Sequence, residues 1–158
     1  MPAGSRSDGV VQLRAFTVGD RPAVLRGRDR EWARWLGPGD PVPSPTACIE
    51  VAGAVVGWID ADETAPWLRP GEANVGYSIF AAHRGHGYAA RAVRLLAAEL
   101  AERGVRDALL VIDSENAASL GVARAAGARL VPGRSVPGLP AALVFAVACE
   151  RPTTPDAS

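Results

Sequence analysis

The segment Asn74-Val-Gly-Tyr-Ser-Ile-Phe-Ala-Ala-His-Arg-Gly-His-Gly-Tyr-Ala-Ala90 runs from an alternating pattern, through two glycines, into a helical one. Val75, Tyr77 and Ile79 fall on one face of a strand, and Asn74, Gly76, Ser78 and Phe80 on the other. Gly85 and Gly87, spaced by one residue, can take positive φ and let a ligand approach the backbone closely. A helix starting at Tyr88 then aims its unpaired first-turn N–H groups and the positive end of its dipole at the loop. A strand–glycine loop–helix of this kind cradles an anion, and Arg84 at its lip adds a charge suited to phosphate. The same turn can also serve tightness alone.

Downstream, Ala89, Val93, Leu96, Ala97 and Leu100 recur at helical spacing, and Gly104 ends the helix. Residues 107–112 read as a strand covered on both faces. Residues 116–126 read as a short helix ending at Gly127, and residues 128–131 and 141–148 as two closing strands around a turn-rich stretch. Upstream, residues 10–16 alternate as a first strand, and Asp20 with Pro22 offers a helix start. One helix or two short ones then run to Leu36, and residues 37–45 are a proline-rich loop. Residues 47–51 and 54–60 form a hairpin about Ala52-Gly53, followed by a loop over residues 62–71 that exposes Trp67. The order predicts one mixed α/β domain over residues 10–150, with polar tails at residues 1–9 and 151–158.

Composition bounds the function. The chain has 158 residues, long enough to bury roughly 70% of its unfolded surface without staples. Seventeen basic and seventeen acidic residues cancel, which argues against nucleic-acid or anionic-membrane partners. No apolar run approaches the ~18 residues of a membrane span, and the first residues lack the apolar core of a signal peptide. Cys48 and Cys149 have no metal-ligand or redox spacing; as two packed thiols they suit a reducing cytoplasm. Every basic residue is Arg, which reads as coding bias rather than a binding specialisation. Gly85-x-Gly87-x-x-Ala90 also fits the dinucleotide fingerprint loosely, but Asp113 comes late and too little chain follows for a doubly wound domain.

Arg84-Gly-His-Gly87-Tyr-Ala89 resembles the pyrophosphate loop, Gln/Arg-x-x-Gly-x-Gly/Ala, of the GNAT superfamily of acetyl-CoA-dependent N-acetyltransferases. Asn74-Val-Gly-Tyr77 is similar to the Glu-Ile-Gly-Tyr of the ribosomal-protein (Rim-type) branch. Asn116-Ala-Ala-Ser119, followed by Gly127, is similar to that branch's Asn-x-x-Ser…Gly-Phe stretch. The resemblance implies a mostly antiparallel sheet that splays centrally, with helices on both faces. It implies acetyl-CoA as cosubstrate, a primary amine as acceptor, no metal, and a monomer or homodimer.

By this resemblance Ile79, Phe80 and Ala81 leave backbone groups for the pantetheine arm, as an added strand would take them up. The amides of Gly85, His86, Gly87, Tyr88 and Ala89, with Arg84, receive the diphosphate. Asn116 lies beside the pantetheine or caps the helix after it, two compatible roles. Ser119 lies near the cofactor sulfur and can protonate the leaving thiolate, or it can bond back to its own turn. The tyrosine that many members place four residues further on is Ala123 here. The carboxylate expected of the branch on the preceding strand is Asn74, so Glu72, on the same strand face, is the candidate base, acting through a water. Asp60, Asp62 and Glu63 are weaker alternatives. A non-catalytic acyl-CoA sensor is the rival from another class, and a nucleotide-binding oxidoreductase the third.

Overall fold

A computed structural model describes residues 5–36 and 45–151 of the chain. Its strands are β1 (Arg6–Ser7), β2 (Val11–Ala15), β3 (Ala47–Val51), β4 (Ala54–Asp62), β5 (Glu72–Ile79), β6 (Asp107–Asp113), β7 (Arg129–Leu130) and β8 (Ala142–Ala148). Its helices are α1 (Arg21–Arg26), α2 (Arg30–Leu36), α3 (Tyr88–Glu102) and α4 (Ala117–Ala125). The described strands form one sheet in the order β1-β2-β3-β4-β5-β6-β8-β7. Neighbours are antiparallel except β5 and β6, which run parallel because α3 crosses over between them. This is the mixed, mostly antiparallel α/β architecture expected.

Period-two alternation sorts the core into faces. Val11, Leu13, Ile49, Ile59, Val75, Leu110 and Val147 pack under α3, whose buried stripe includes Ala89, Val93, Leu96, Ala97 and Leu100. On the other face Val24 of α1 packs on Trp58 with Phe16 and Phe80. Further along that face, Leu109, Val144 and Ala146 pack with Val136, Trp67 and Leu68.

The sheet opens in its middle. The β5–β6 register ends at Asn74 opposite Leu109. Yet β5 stays paired with β4 up to Ile79 opposite Gly57, and β6 stays paired with β8 up to Asp113 opposite Ala142. Past Asn74 the facing edges of β5 and β6 therefore diverge and leave backbone groups without strand partners.

Several expectations need correction. Residues 1–9 are not wholly a tail: Arg6 and Ser7 pair with Leu13 and Gln12. Asp8-Gly9 makes the turn, with Asp8 Oδ1 accepting from the amides of Val10 and Val11 and Gly9 at φ +94°. Asp20 does not cap α1 with its side chain; the carboxylate turns back to the Thr17 amide and to Arg14. Trp67 is half-buried rather than exposed, with the Arg134 guanidinium 5.7 Å from its ring centre. The first closing strand is only two residues long. The expected loop at 37–45 and tail at 151–158 fall, but for Pro45 and Arg151, outside the described residues. Cys48 and Cys149 are both free thiols, pushed up by burial to about 12 and about 11 respectively.

Candidate functional site

A cleft of about 470 Å³ fills the opening between β5 and β6. Its walls are residues 75–79 of β5, residues 110–113 of β6, the loop at 83–87, the first turn of α3, one side of α4, and Trp32 and Trp35 of α2.

The loop is built by its glycines. Gly85 and Gly87 sit at φ +81° and +76°, which L side chains rarely adopt, and a Cβ at either would meet no atom within 4 Å. The positive φ demands the glycines, and open space lies in front of them. The first hydrogen bond of α3 runs from the Arg91 amide to the Gly87 carbonyl. The amides of Tyr88, Ala89 and Ala90 precede it and have no partner within the helix. All three residues line the cleft, at the positive end of a fifteen-residue helix. His86 stacks on Tyr88 with ring centres 5.3 Å apart, and its Nδ1 lies 3.1 Å from the His83 carbonyl oxygen, so the loop is held in shape.

Arg84 lines the cleft, but its charge is already matched. Its guanidinium makes a fork of two bonds to Asp29, at 2.6 and 3.0 Å, and its Nε donates to the Ile79 carbonyl at 2.9 Å. Arg84 holds the Asp29 carboxyl down to about 2. The same carboxylate caps α2 by accepting from the Trp32 amide. Arg84 thus clasps the loop to α2 and to the end of β5, in place of the free phosphate ligand expected from the sequence.

Ile79 lines the cleft, whereas Phe80 and Ala81 do not. The Phe80 amide donates to the Val56 carbonyl at 2.8 Å, and its ring packs so close to Gly27 that a Cβ there would meet it at 2.2 Å. Ala81 sits in an exposed turn whose carbonyl accepts from the Arg84 amide. The unpaired stretch facing β6 therefore lies upstream, between Val75 and Ile79.

Asn116 and Ser119 both reach the cleft from α4. Asn116 is the N-cap of α4: its Oδ1 accepts from the Ser119 amide at 3.2 Å. Ser119 Oγ does not bond back to its own turn; among the described residues it accepts a hydrogen bond from the Tyr77 hydroxyl at 3.0 Å. Burial pushes the Tyr77 phenol above its ordinary value, and the Ser119 contact partly offsets this. Ala123 is buried in the core and offers no proton.

Glu72 is not in the cleft, which corrects its reading as the base. Both its oxygens accept from Arg134, at 2.9 and 2.7 Å, and one also accepts from the Arg69 amide. Arg134 holds this carboxyl below its usual range, against the upward pull of burial. Asp60 is likewise engaged, accepting from the amide and hydroxyl of Thr46 just before β3; Asp62 accepts from Thr64 in a turn, and Glu63 pairs with Arg103. The carboxylates that do line the cleft are Glu31 and Asp113. Sequence reasoning missed Glu31, Trp32 and Trp35, for nothing in a short amphipathic helix tells which wall it will form. It also missed Tyr77 as the partner of Ser119. The one signal for it was a phenol hydroxyl on an otherwise apolar strand face. Among the described residues no group of three or more His, Cys, Asp or Glu could hold a metal.

No curated protein matches the chain significantly by sequence. Among solved structures, the fold is similar to an acetyltransferase from Agrobacterium tumefaciens str. C58, at 20% identity and TM-score 0.76, covering 92% of this chain and 95% of that one. It is similar to a GNAT-family acetyltransferase from Bacillus anthracis, at 16% identity and TM-score 0.74, covering 91% and 98%. It is also similar to RimJ of Mycobacterium smegmatis, solved in complex with CoA-disulfide, at 20% identity and TM-score 0.73, covering 97% and 90%. The family model of the acetyltransferase (GNAT) domain matches residues 44–129, more than half of the chain. With the splayed sheet and the glycine cradle at the start of α3, this match makes the chain a member of the GNAT acetyltransferase family, an acyltransferase.

Proposed function

We propose that the protein transfers the acetyl group of acetyl-CoA to a primary amine, a protein N-terminus or a small molecule, by direct attack of the amine on the thioester. The observation that carries this reading is the loop at 84–89, where two glycines at positive φ leave open space before the unpaired amides of α3. That cradle suits a diphosphate, and the diverging edges of β5 and β6 suit the peptide-like pantetheine arm. The RimJ fold neighbour, solved with CoA-disulfide, supports a CoA ligand. Asn116 lines the same cleft from the start of α4, and in this reading a backbone N–H on the open edge of β5 holds the developing oxyanion. Ser119 gives its proton to the departing sulfur. With Glu72 bound to Arg134, the work left to the protein is to position an unprotonated amine beside the thioester, and the amine's proton leaves to water. The two free, buried-side thiols suit a reducing cytoplasm.

Calorimetry tests the reading: acetyl-CoA should bind in the micromolar range. Gly87→Val fills that open space and puts a β-branched side chain at φ +76°, a strain confined to the loop, so it should abolish binding while the sheet and α3 stay folded. A panel of peptides covering the N-terminal residues, with benzylamine and spermidine, should then show acetyl-CoA-dependent CoA release for at least one amine. Absence of acetyl-CoA binding by the wild type overturns the reading; binding without turnover returns the protein to a sensor.

A further inference from the structure

Tyr77 and Ser119 come from opposite walls of the cleft, β5 and α4, 42 positions apart in the chain, and meet at 3.0 Å. Between two hydroxyls the phenol is much the stronger acid, so Tyr77 donates and Ser119 accepts. A helical serine can spend its hydrogen on a carbonyl of the preceding turn. Ser119 does not: its amide is held by Asn116, its Oγ by Tyr77, and its own hydrogen is left for the cleft. The residue one turn further along α4 is the buried Ala123, so the phenol beside this serine comes from the strand instead of the helix.

We propose that Tyr77 is the positioning residue for Ser119 and the source of the proton that replaces the one Ser119 gives up. The inference rests on the acetyl transfer proposed above. As the amine nitrogen bonds to the acetyl carbon and the C–S bond breaks, the sulfur takes the Ser119 proton. Ser119 Oγ takes the Tyr77 proton in the same movement, and no free alkoxide forms. The Tyr77 phenolate then regains, through water, the proton that the amine nitrogen releases, so the protein ends as it began. A phenol raised above its ordinary value by burial suits that return step. The other titratable groups facing this cleft are Glu31 of α2, His83, Arg84 and His86 of the loop, Tyr88 of α3 and Asp113 of β6. Among the described residues none of them hydrogen-bonds to the Tyr77–Ser119 pair, so the exchange runs between these two hydroxyls.

Single-turnover rapid mixing with the fastest amine of the panel tests this on wild type, Tyr77→Phe, Ser119→Ala and the double variant. Calorimetry with acetyl-CoA and thermal melting serve as controls. Tyr77→Phe keeps the ring and its packing. It should lower the chemical rate about ten- to a hundredfold, within the range of proton-transfer effects, with acetyl-CoA affinity and KM for the amine within twofold. In the Ser119→Ala background the same change should cost no more than twofold further, because the relay is already broken. An unchanged rate in Tyr77→Phe, or losses that multiply in the double variant, overturns the inference while leaving acetyl transfer standing. A wild type that acetylates no amine overturns the functional reading itself.

Discussion

Glu72 and Arg134 stand 62 positions apart, yet their side chains form a forked pair with only 13% and 8% of their surfaces exposed. Arg134 also donates to the Trp67 carbonyl, so the pair joins the start of β5 to the loops on either side of it. Removing one charge leaves the other buried without its counterion, a change of roughly 2–4 kcal/mol. Glu72→Gln should therefore lower the thermal midpoint by roughly 5–12 °C in a domain of this size. A melt by circular dichroism reads this, and a loss of chemical rate with no loss of stability would return Glu72 to the role of base. Arg84 teaches the same lesson 55 positions from Asp29. In both cases the residue type pointed to chemistry, and its partner assigned it to structure.

Among the elements, β4 and β5 leave no room for a side chain at Gly57. A Cβ there would lie 2.1 Å from the Ser78 carbonyl oxygen, so backbone rather than a flexible side chain would have to give way. Ser78 and Ile79 form one edge of the cleft. Gly57→Ala should therefore destabilise the protein by about 1–3 kcal/mol, the range for overpacking, and weaken acetyl-CoA binding through the displaced strand. Denaturant titration and calorimetry measure the two effects. Normal stability would show that β4 can shift without cost. Gly87 contrasts with it, since a side chain there meets open space and acts on the ligand and the local φ alone. The strand, glycine loop and α3 were legible in the sequence because each is set by residues close in the chain. The Asp8-Gly9 hairpin is equally local, but its outer strand of two residues is too short to show a period.

At the scale of the whole molecule, forked carboxylate–arginine pairs join elements: Asp20 to nearby Arg14, Asp29 to Arg84 across 55 positions, and Glu72 to Arg134 across 62. In each the arginine is the main reason that the carboxyl lies below its ordinary value, with Asp29 at about 2. The unfolded chain then binds more protons than the folded one through the acid range, so stability falls as pH falls. This contribution is complete above the ordinary carboxylate range and is lost as the pH drops through the lower folded values. Thermal midpoints should be flat above about pH 5 and decline from about pH 4.5 towards 2, with Glu72→Gln declining less. An acid decline as steep in that variant as in the wild type would remove Glu72 from the set. The sequence by itself determined the periods of strand and helix, the glycines at positive φ, the cap at Asn116 and, from these, the fold class and the anion cradle. These are backbone preferences that neighbours within a turn or two decide. Only the tertiary structure decided which charges are free and which hydroxyls meet. A charge or a proton donor takes its role from whatever lies within a few ångströms, and here those partners, Arg134, Asp29 and Tyr77, come from remote parts of the chain.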